Sequence, residues 1–270
     1  MQTFNDVDLK SLYKPPKDSS GEDNGQITII GGSKLFHGAP LLSLSVASRF
    51  VDMVFFSSPD CELKNVVKLK SSLSSFVWID FQNLDEYIVK SDVVLIGPGL
   101  MRYSKIENDD TYQKTRNLVK TLIQKYSDKK WVIDAGALQT MDSGWIPKNA
   151  ILTPNVKEYE MLFGKSKPLE MVQKHECFIV VKAPITKIYG PNQSVEIKGG
   201  NEGLTKGGTG DVLAGLTAAL YAKNDGFLAS AAASHILKST ADRLYQKVGI
   251  AYSADDLSLQ IPEIYKELVG

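Results

Sequence analysis

Between Thr205 and Gly215 the chain reads Thr-Lys-Gly-Gly-Thr-Gly-Asp-Val-Leu-Ala-Gly, three glycines and one acid leading into an uncharged run that ends at Ala222. Gly207, Gly208 and Gly210 admit backbone conformations closed to other residues and let a second group approach the main chain closely. Asp211 stands at or near the cap of the helix that follows, where the first N–H groups lack intrahelical partners and carry partial positive charge. Such a turn can hold an anion on backbone amides with a carboxylate beside it. That suits phosphoryl transfer, with amides stabilising the phosphate and the acid taking a proton from an attacking hydroxyl. A lone Gly-Gly-x-Gly is more often a turn closed by a helix-starting Asp, so the weight falls on residues elsewhere.

Those residues lie at strand ends. Continuous apolar runs predict strands over Gln26–Ile30, Val51–Ser57, Asp92–Ile96 and Cys177–Lys182, with shorter ones over Trp131–Ile133 and Ala150–Leu152 and a weaker one over Ser75–Phe81. Five of these strands run into Gly31-Gly32-Ser33, Gly97-Pro98-Gly99, Asp134-Ala135-Gly136, Thr153-Pro154-Asn155 and Lys182-Ala183-Pro184-Ile185-Thr186. Open parallel sheets bind ligands at the carboxyl ends of their strands, so together the five describe one crevice lined by backbone. Helices are expected over Leu41–Phe50, Val66–Leu73, Leu84–Lys90, Asp110–Tyr126, Val156–Phe163, Val212–Ala222 and Phe227–Val248, with one or two short ones over Asp255–Leu268. Thr186–Tyr189 and Ser194–Ile197 read as a hairpin across Gly190–Gln193. Residues 1–24, polar and interrupted by Pro15-Pro16, read as a surface arm before a single domain over 25–270. Strands alternating with helices predict an α/β three-layer sandwich around a mostly parallel sheet.

The bulk properties exclude several function classes. With 31 basic and 31 acidic residues in 270 the net charge is zero, so nothing favours nucleic acid or an anionic membrane, and any phosphate must be bound locally. Cys61 and Cys177 form no disulfide or metal pattern. The start, Met-Gln-Thr-Phe-Asn-Asp-Val-Asp, lacks the features of a signal peptide, no apolar run approaches the roughly 18 residues of a membrane span, and a cytoplasmic protein is expected. No Gly-x4-Gly-Lys-Ser/Thr loop, no Gly-x-Gly-x-x-Gly after the first strand and no Gly-x-Ser-x-Gly elbow occurs.

Taken in order, the motifs resemble those of the NAD(P)H-hydrate dehydratases, repair enzymes of the ribokinase-like superfamily that use ADP or ATP. The resemblance runs over about residues 25–250 and rests on Gly31-Gly32-Ser33 with Gly38-Ala39-Pro40, Gly97–Leu100, Asp134–Leu138, Leu152–Glu158, Lys182–Thr186 and Gly207–Gly215. It implies a ribokinase-like fold and a reaction in which the ring hydroxyl of hydrated NADH or NADPH is phosphorylated and leaves as phosphate. By resemblance Asp211 is the base, with the amides of Gly208, Thr209 and Gly210 on the transferred group. Lys182, Ala183, Pro184, Ile185, Thr186 and Gly210 would hold the nucleotide. Gly32, Ser33, Ala39, Gly99, Leu100, Asn155 and Asp211 would face the hydrated dinucleotide, and Glu158 with Asn155 would orient Mg2+ through water. A homo-oligomer, such as a tetramer, is also implied.

Blander readings stand beside these roles. Asp211 alone can be a helix cap and Asp134 is as readily a structural cap as a ligand. Glu158 fits the third position of a capping arrangement with Thr153 or Asn155. Lys182 ends a buried strand where an unpaired ammonium is costly, which argues for a phosphate partner. His37 is expected to line the pocket. Met101 stands where the family has glycine, Ala183 replaces the glycine after Lys182, and the bulky Arg49–Met53 stretch is expected to narrow the dinucleotide pocket. Two alternatives remain open: another ribokinase-like kinase acting on a hydroxyethylthiazole or pyridoxal-type substrate, and a nucleotide-binding protein without catalysis.

Overall fold

The structure is a computed structural model and describes residues 1–60, 73–102 and 110–270. Its ten described strands are β1 (Gln2–Thr3), β2 (Gln26–Ile30), β3 (Met53–Ser57), β4 (Val77–Trp78), β5 (Val93–Ile96), β6 (Lys130–Ile133), β7 (Ile151–Leu152), β8 (Phe178–Val181), β9 (Thr186–Tyr189) and β10 (Ser194–Ile197). They form one sheet in the order β1-β10-β9-β8-β7-β6-β5-β2-β3-β4. Every pairing is parallel except the two made by β9, which runs against β8 and β10 and closes the expected hairpin with Ser194 opposite Tyr189. The inner strand β2 pairs Ile27 with Val54 of β3 and with Val93 of β5.

Alternate residues of the inner strands feed two separate cores. Ile27, Ile29, Leu95 and Val132 point into one, where they meet α1 (Gly38–Ala47), α7 (Thr209–Lys223), α8 (Gly226–Val248) and α9 (Ala254–Val269). Ile30, Val94, Ile96 and Ile133 point into the other, under α2 (Leu84–Lys90), α3 (Asp110–Lys125), α4 (Ala135–Thr140), α5 (Val156–Phe163) and α6 (Pro168–His175). Burial on both faces explains the unbroken apolar runs of the central strands. The architecture is the expected three-layer sandwich. Among the described residues no helix is long and apolar enough to cross a membrane.

Several boundaries move for identifiable reasons. Helix α1 starts at Gly38 and stops at Ala47, so the turn Gly38-Ala39-Pro40 is helical and Pro40 takes a first-turn position where its missing N–H is harmless. The expected strand at Val51 begins at Met53, because the N–H groups of Asp52 and Met53 both turn to the carbonyl of Gly25. The strand expected over Ser75–Phe81 shrinks to the two residues of β4. Helices α4 and α6 are absent from the sequence expectation. The tail is one helix through Pro262, held by buried Leu257, Ile261 and Ile264 despite the lost backbone donor. The helix expected at Val66–Leu73 and Cys61 fall at 61–72, outside the described residues apart from Leu73.

Residues 1–24 lie against this frame. Strand β1 adds to the edge at β10, and Phe4, Leu9 and Leu12 are buried. Asp6 meets His235 of α8 at 2.7 Å, and the Tyr13 N–H donates to Asn224 Oδ1 at 2.8 Å.

Candidate active site

The five strand ends singled out in the sequence belong to β2, β5, β6, β7 and β8, which are consecutive neighbours in the sheet. Their loops therefore open side by side. One wall is built by backbone packed on backbone. Gly97 (φ +125) sits against the carbonyl of Asp134 and Gly99 (φ +73) against that of Phe36, both so close that any Cβ would overlap them. The Gly32 N–H donates to the Pro98 carbonyl at 2.8 Å, tying the β2 loop to the β5 loop. Ser33 is buried and its hydroxyl accepts from the Phe36 N–H at 3.1 Å. Ala39 lies half-buried in the first turn of α1. Leu100 is 2% exposed and its side chain belongs to the core under α4, so only its backbone is near the loops. His37 is exposed at the start of α1, with no side-chain capping bond.

The opposite wall is the glycine turn. Gly208, in the left-handed region at φ +94, is the residue that caps α7, so Asp211 is the third residue of the helix and not its cap. Residues at this depth still have amides without intrahelical acceptors, and the carboxylate profits from the helix N-terminal field. The Thr209 hydroxyl is spent on the loop, donating to the carbonyls of Leu204 (2.7 Å) and Lys206 (3.0 Å). Helix α1 fixes α7 from behind through a Ser43 hydroxyl bond to the Asp211 carbonyl at 2.7 Å.

Charged groups converge where the walls meet. Lys182 Nζ lies 2.9 Å from Asp134 Oδ1 and 3.9 Å from Glu158 Oε2. It also lies 3.3 Å from where a Cβ on Gly210 would stand, which places the ammonium directly over the glycine turn. Burial pulls the Lys182 pKa down, but Asp134, Glu158 and Asp211 outweigh it and the net direction is up. Asp211 is pushed up to about 7, first by burial and next by the charge of Asp134, against the opposing pull of Lys182 and Arg102. Asp134 is 1% exposed and its side chain makes no capping bond to its own helix; its Oδ1 accepts instead from Thr153 Oγ1 at 2.8 Å. Glu158 and Asn155 form the capping box of α5: each side chain accepts the other's N–H, at 2.9 and 3.0 Å. The remaining Glu158 oxygen takes Gln139 Nε2 at 3.0 Å.

Beside this cluster opens a cavity of about 750 Å³ lined by Asn155, Lys182, Thr186, Thr209 and Gly210 and roofed by the Gly199–Thr205 loop. Its volume is in the range of small-molecule and cofactor sites. Lys238, 5% exposed, ties two rims together by donating to the carbonyls of Pro184 (2.6 Å) and Gly199 (2.8 Å). Asp242 holds the roof, accepting from the Gly200 N–H at 2.8 Å. Thr186 Oγ1 donates to the Ala183 carbonyl at 3.2 Å and closes the Lys182–Thr186 loop, leaving Pro184 and Ile185 exposed. A second hollow of about 620 Å³ shares Ala183 and Pro184 but is lined by neither Lys182 nor the glycine turn.

Residues 27–263 match the NAD(P)H-hydrate dehydratase family. The chain belongs to that family. A bifunctional NAD(P)H-hydrate repair enzyme of Methanocaldococcus jannaschii is 34% identical over 96% of this chain and 52% of its own length. An ADP-dependent (S)-NAD(P)H-hydrate dehydratase of Cenarchaeum symbiosum is 30% identical over 93% and 91% of the two chains. The chain thus spans about half the length of its bifunctional relatives and nearly all of the single-function one. A ribokinase-like protein of Enterococcus faecalis superposes with a TM-score of 0.84 at 21% identity, covering 99% and 96% of the chains. An ADP/ATP-dependent NAD(P)H-hydrate dehydratase of Bacillus subtilis, co-crystallised with ATP and Mg2+, gives 0.78 at 21% identity over 99% and 98%. The fold is ribokinase-like.

Within this member of the family, Asn155 lines the cavity together with Lys182, its Oδ1 committed to the Glu158 N–H. Two expectations change. Lys182 already has a carboxylate partner in Asp134, so its burial does not by itself demand a phosphate. The Arg49–Met53 stretch does not narrow the crevice: α1 has carried the chain to the far end of the sheet, where Phe50 packs edge-on to Tyr265 at 5.0 Å and Val51 joins the core. Residues the sequence did not single out are Gln139, Lys238 and Asp242, and Arg102, whose guanidinium lies 5.1 Å from the Phe36 ring centre. Gly199-Gly200-Asn201 was the available signal for the roof loop; the others are polar residues with no local pattern.

Proposed function

We propose that this chain dehydrates hydrated NADH or NADPH in a reaction driven by ADP or ATP. The observation that carries the proposal is the junction of Asp211 and Lys182 over Gly210, at the edge of a nucleotide-sized cavity. A base with a pKa of about 7 is half ionised at neutral pH and still basic enough to accept a hydroxyl proton.

The hydroxyl on the nicotinamide ring is a poor leaving group. Asp211 takes its proton as the oxygen attacks the terminal phosphoryl group of the nucleotide, releasing AMP from ADP or ADP from ATP. The amides of the first turn of α7, with Gly208 and Gly210 leaving the approach open, and the Lys182 ammonium stabilise the charge on the group in transit. The phosphate ester then departs as inorganic phosphate with loss of a ring proton, restoring the double bond. Lys182 and the Ala183–Thr186 loop hold the nucleotide, while Gly32, Ser33, Ala39 and Gly99 present backbone to the dinucleotide. Among the described residues no group of three or more His, Cys, Asp or Glu side chains could enclose a metal. The site suits an ion held through water: Glu158 is buried beside Lys182, and each of its oxygens accepts one hydrogen bond, which leaves lone pairs for water. Asn155 and Glu158 would hold Mg2+ in that way, and the ion would neutralise nucleotide phosphate charge.

The test is to incubate the protein with hydrated NADH and follow the absorbance of reduced nicotinamide together with inorganic phosphate. The expected result is equal recovery of both, dependent on ADP or ATP. Tight nucleotide binding with no recovery from either nucleotide would refute the proposal.

A further inference from the structure

We propose that Asp134 is a positioning residue for phosphoryl transfer, acting by holding the Lys182 ammonium over Gly210 and beside Asp211. The proposal rests on the activity proposed above. Asp134 sits where a helix-capping acid is expected, yet its side chain makes no capping bond to α4. Ala135, directly after it, is in the left-handed region at φ +45, a strained state for a residue with a side chain. This backbone turn leaves the Asp134 carboxylate free of its helix. There it is almost fully buried, and one oxygen, Oδ1, accepts both Thr153 Oγ1 at 2.8 Å and Lys182 Nζ at 2.9 Å. A cap would need neither contact.

Lysine has a flexible stem and a compact charge, so its position must be imposed from outside. Asp134 imposes it. The second carboxylate near Lys182, Glu158, stands off at 3.9 Å, and both of its oxygens are engaged by Asn155 and Gln139. The charged groups facing Asp211 come from four places: Asp134 at the start of α4, Glu158 in α5, Lys182 after β8 and Arg102 after β5. From α1 the contact is the uncharged Ser43 hydroxyl. Asp134 is the strongest of the charged influences on Asp211 and acts to keep it protonated. Neutralising Asp134 removes the larger of the two charges, so the Asp211 pKa falls even though release of Lys182 takes away an opposing pull.

The experiment is a double-mutant cycle on turnover of hydrated NADH with ADP or ATP, with the pH profile of each variant. Asp134→Asn is expected to lower kcat about tenfold or more, a loss typical of a displaced positioning group. Its acid limb should lie below that of the wild type. Lys182→Met is expected to lose activity too, and the combined variant to be no worse than Lys182→Met alone, since the two residues act as one unit. Losses that multiply in the double variant, or a folded Asp134→Asn whose acid limb stays at the wild-type pH, overturn the proposal. If Asp134→Asn does not fold, Thr153→Val takes its place on both backgrounds. It should lower kcat in the protein that keeps Lys182 and leave it unchanged in the Lys182→Met variant; equal losses on both backgrounds overturn the proposal. Failure of the functional reading is distinguishable, because it appears as no turnover in the wild type.

Discussion

Asp211 concentrates the site's electrostatics in one proton. With its pKa at about 7, turnover should rise with pH along an acid limb centred near neutrality. The same shift has a stability sign. Raised in the folded state, Asp211 binds a proton that the unfolded chain has released, so stability falls as pH rises from about 4 to about 7 and levels off above. Asp211→Asn should therefore melt higher than the wild type at pH 8, by at most about 4 kcal/mol at about 1.4 kcal/mol per tenfold change in proton affinity. The gain should shrink toward pH 4, as read by thermal melts at both ends. An Asn variant that is less stable at pH 8 would show the carboxylate to be structural. The sequence made Asp211 legible because three glycines precede it. It placed the residue at or near the cap, and with Gly208 in the left-handed region taking the cap, Asp211 is the third residue of the helix. The pairing of Lys182 with Asp134 spans 48 residues and has no local signature, so it required the sheet to bring β6 and β8 to either side of β7.

At the scale of elements, α1 and α7 decide how Asp211 is held. Gly215 in α7 faces Ser43 of α1, and a Cβ there would stand 2.6 Å from the Ser43 Cα and carbonyl oxygen. Helix propensity alone favours alanine by about 1 kcal/mol. The close contact is with backbone, which cannot rotate away, so Gly215→Ala is expected to be destabilised by roughly 1–3 kcal/mol through overpacking. It should also lose activity, because the Ser43 bond to Asp211 is one turn away. Calorimetry and turnover check both; a more stable variant would show that the helices slide freely. Periodicity exposed the long elements well, since α3 and β2 carry clear patterns. It missed α4, whose buried Ala135, Gly136, Ala137 and Leu138 show no polar face. The Asn155–Glu158 box was legible because both partners lie within one turn.

At the scale of the molecule, the sheet order sets five loops in a row while the N-terminal residues secure the distant edge. Removing Met1–Leu12 strips β1 from β10 and uncovers the surface under Phe4, Leu9 and Leu12. After the regained chain entropy, the expected net loss is on the order of 2 kcal/mol, a fall of about 4–8 °C in Tm. An unchanged melt would show the segment to be merely adherent. The parallel α/β plan was legible from strands that alternate with helices. The edge strand was not, because two residues, Gln2 and Thr3, carry no period and pair only once β10 exists. The most direct test of the central claim compares the wild type with Asp211→Asn, each saturated with ADP or ATP, in a single turnover of hydrated NADH. The expected result is recovery of reduced nicotinamide in the wild type and a rate about 10²–10⁴-fold lower in the variant, with nucleotide binding retained. Equal rates in the two proteins would contradict the account.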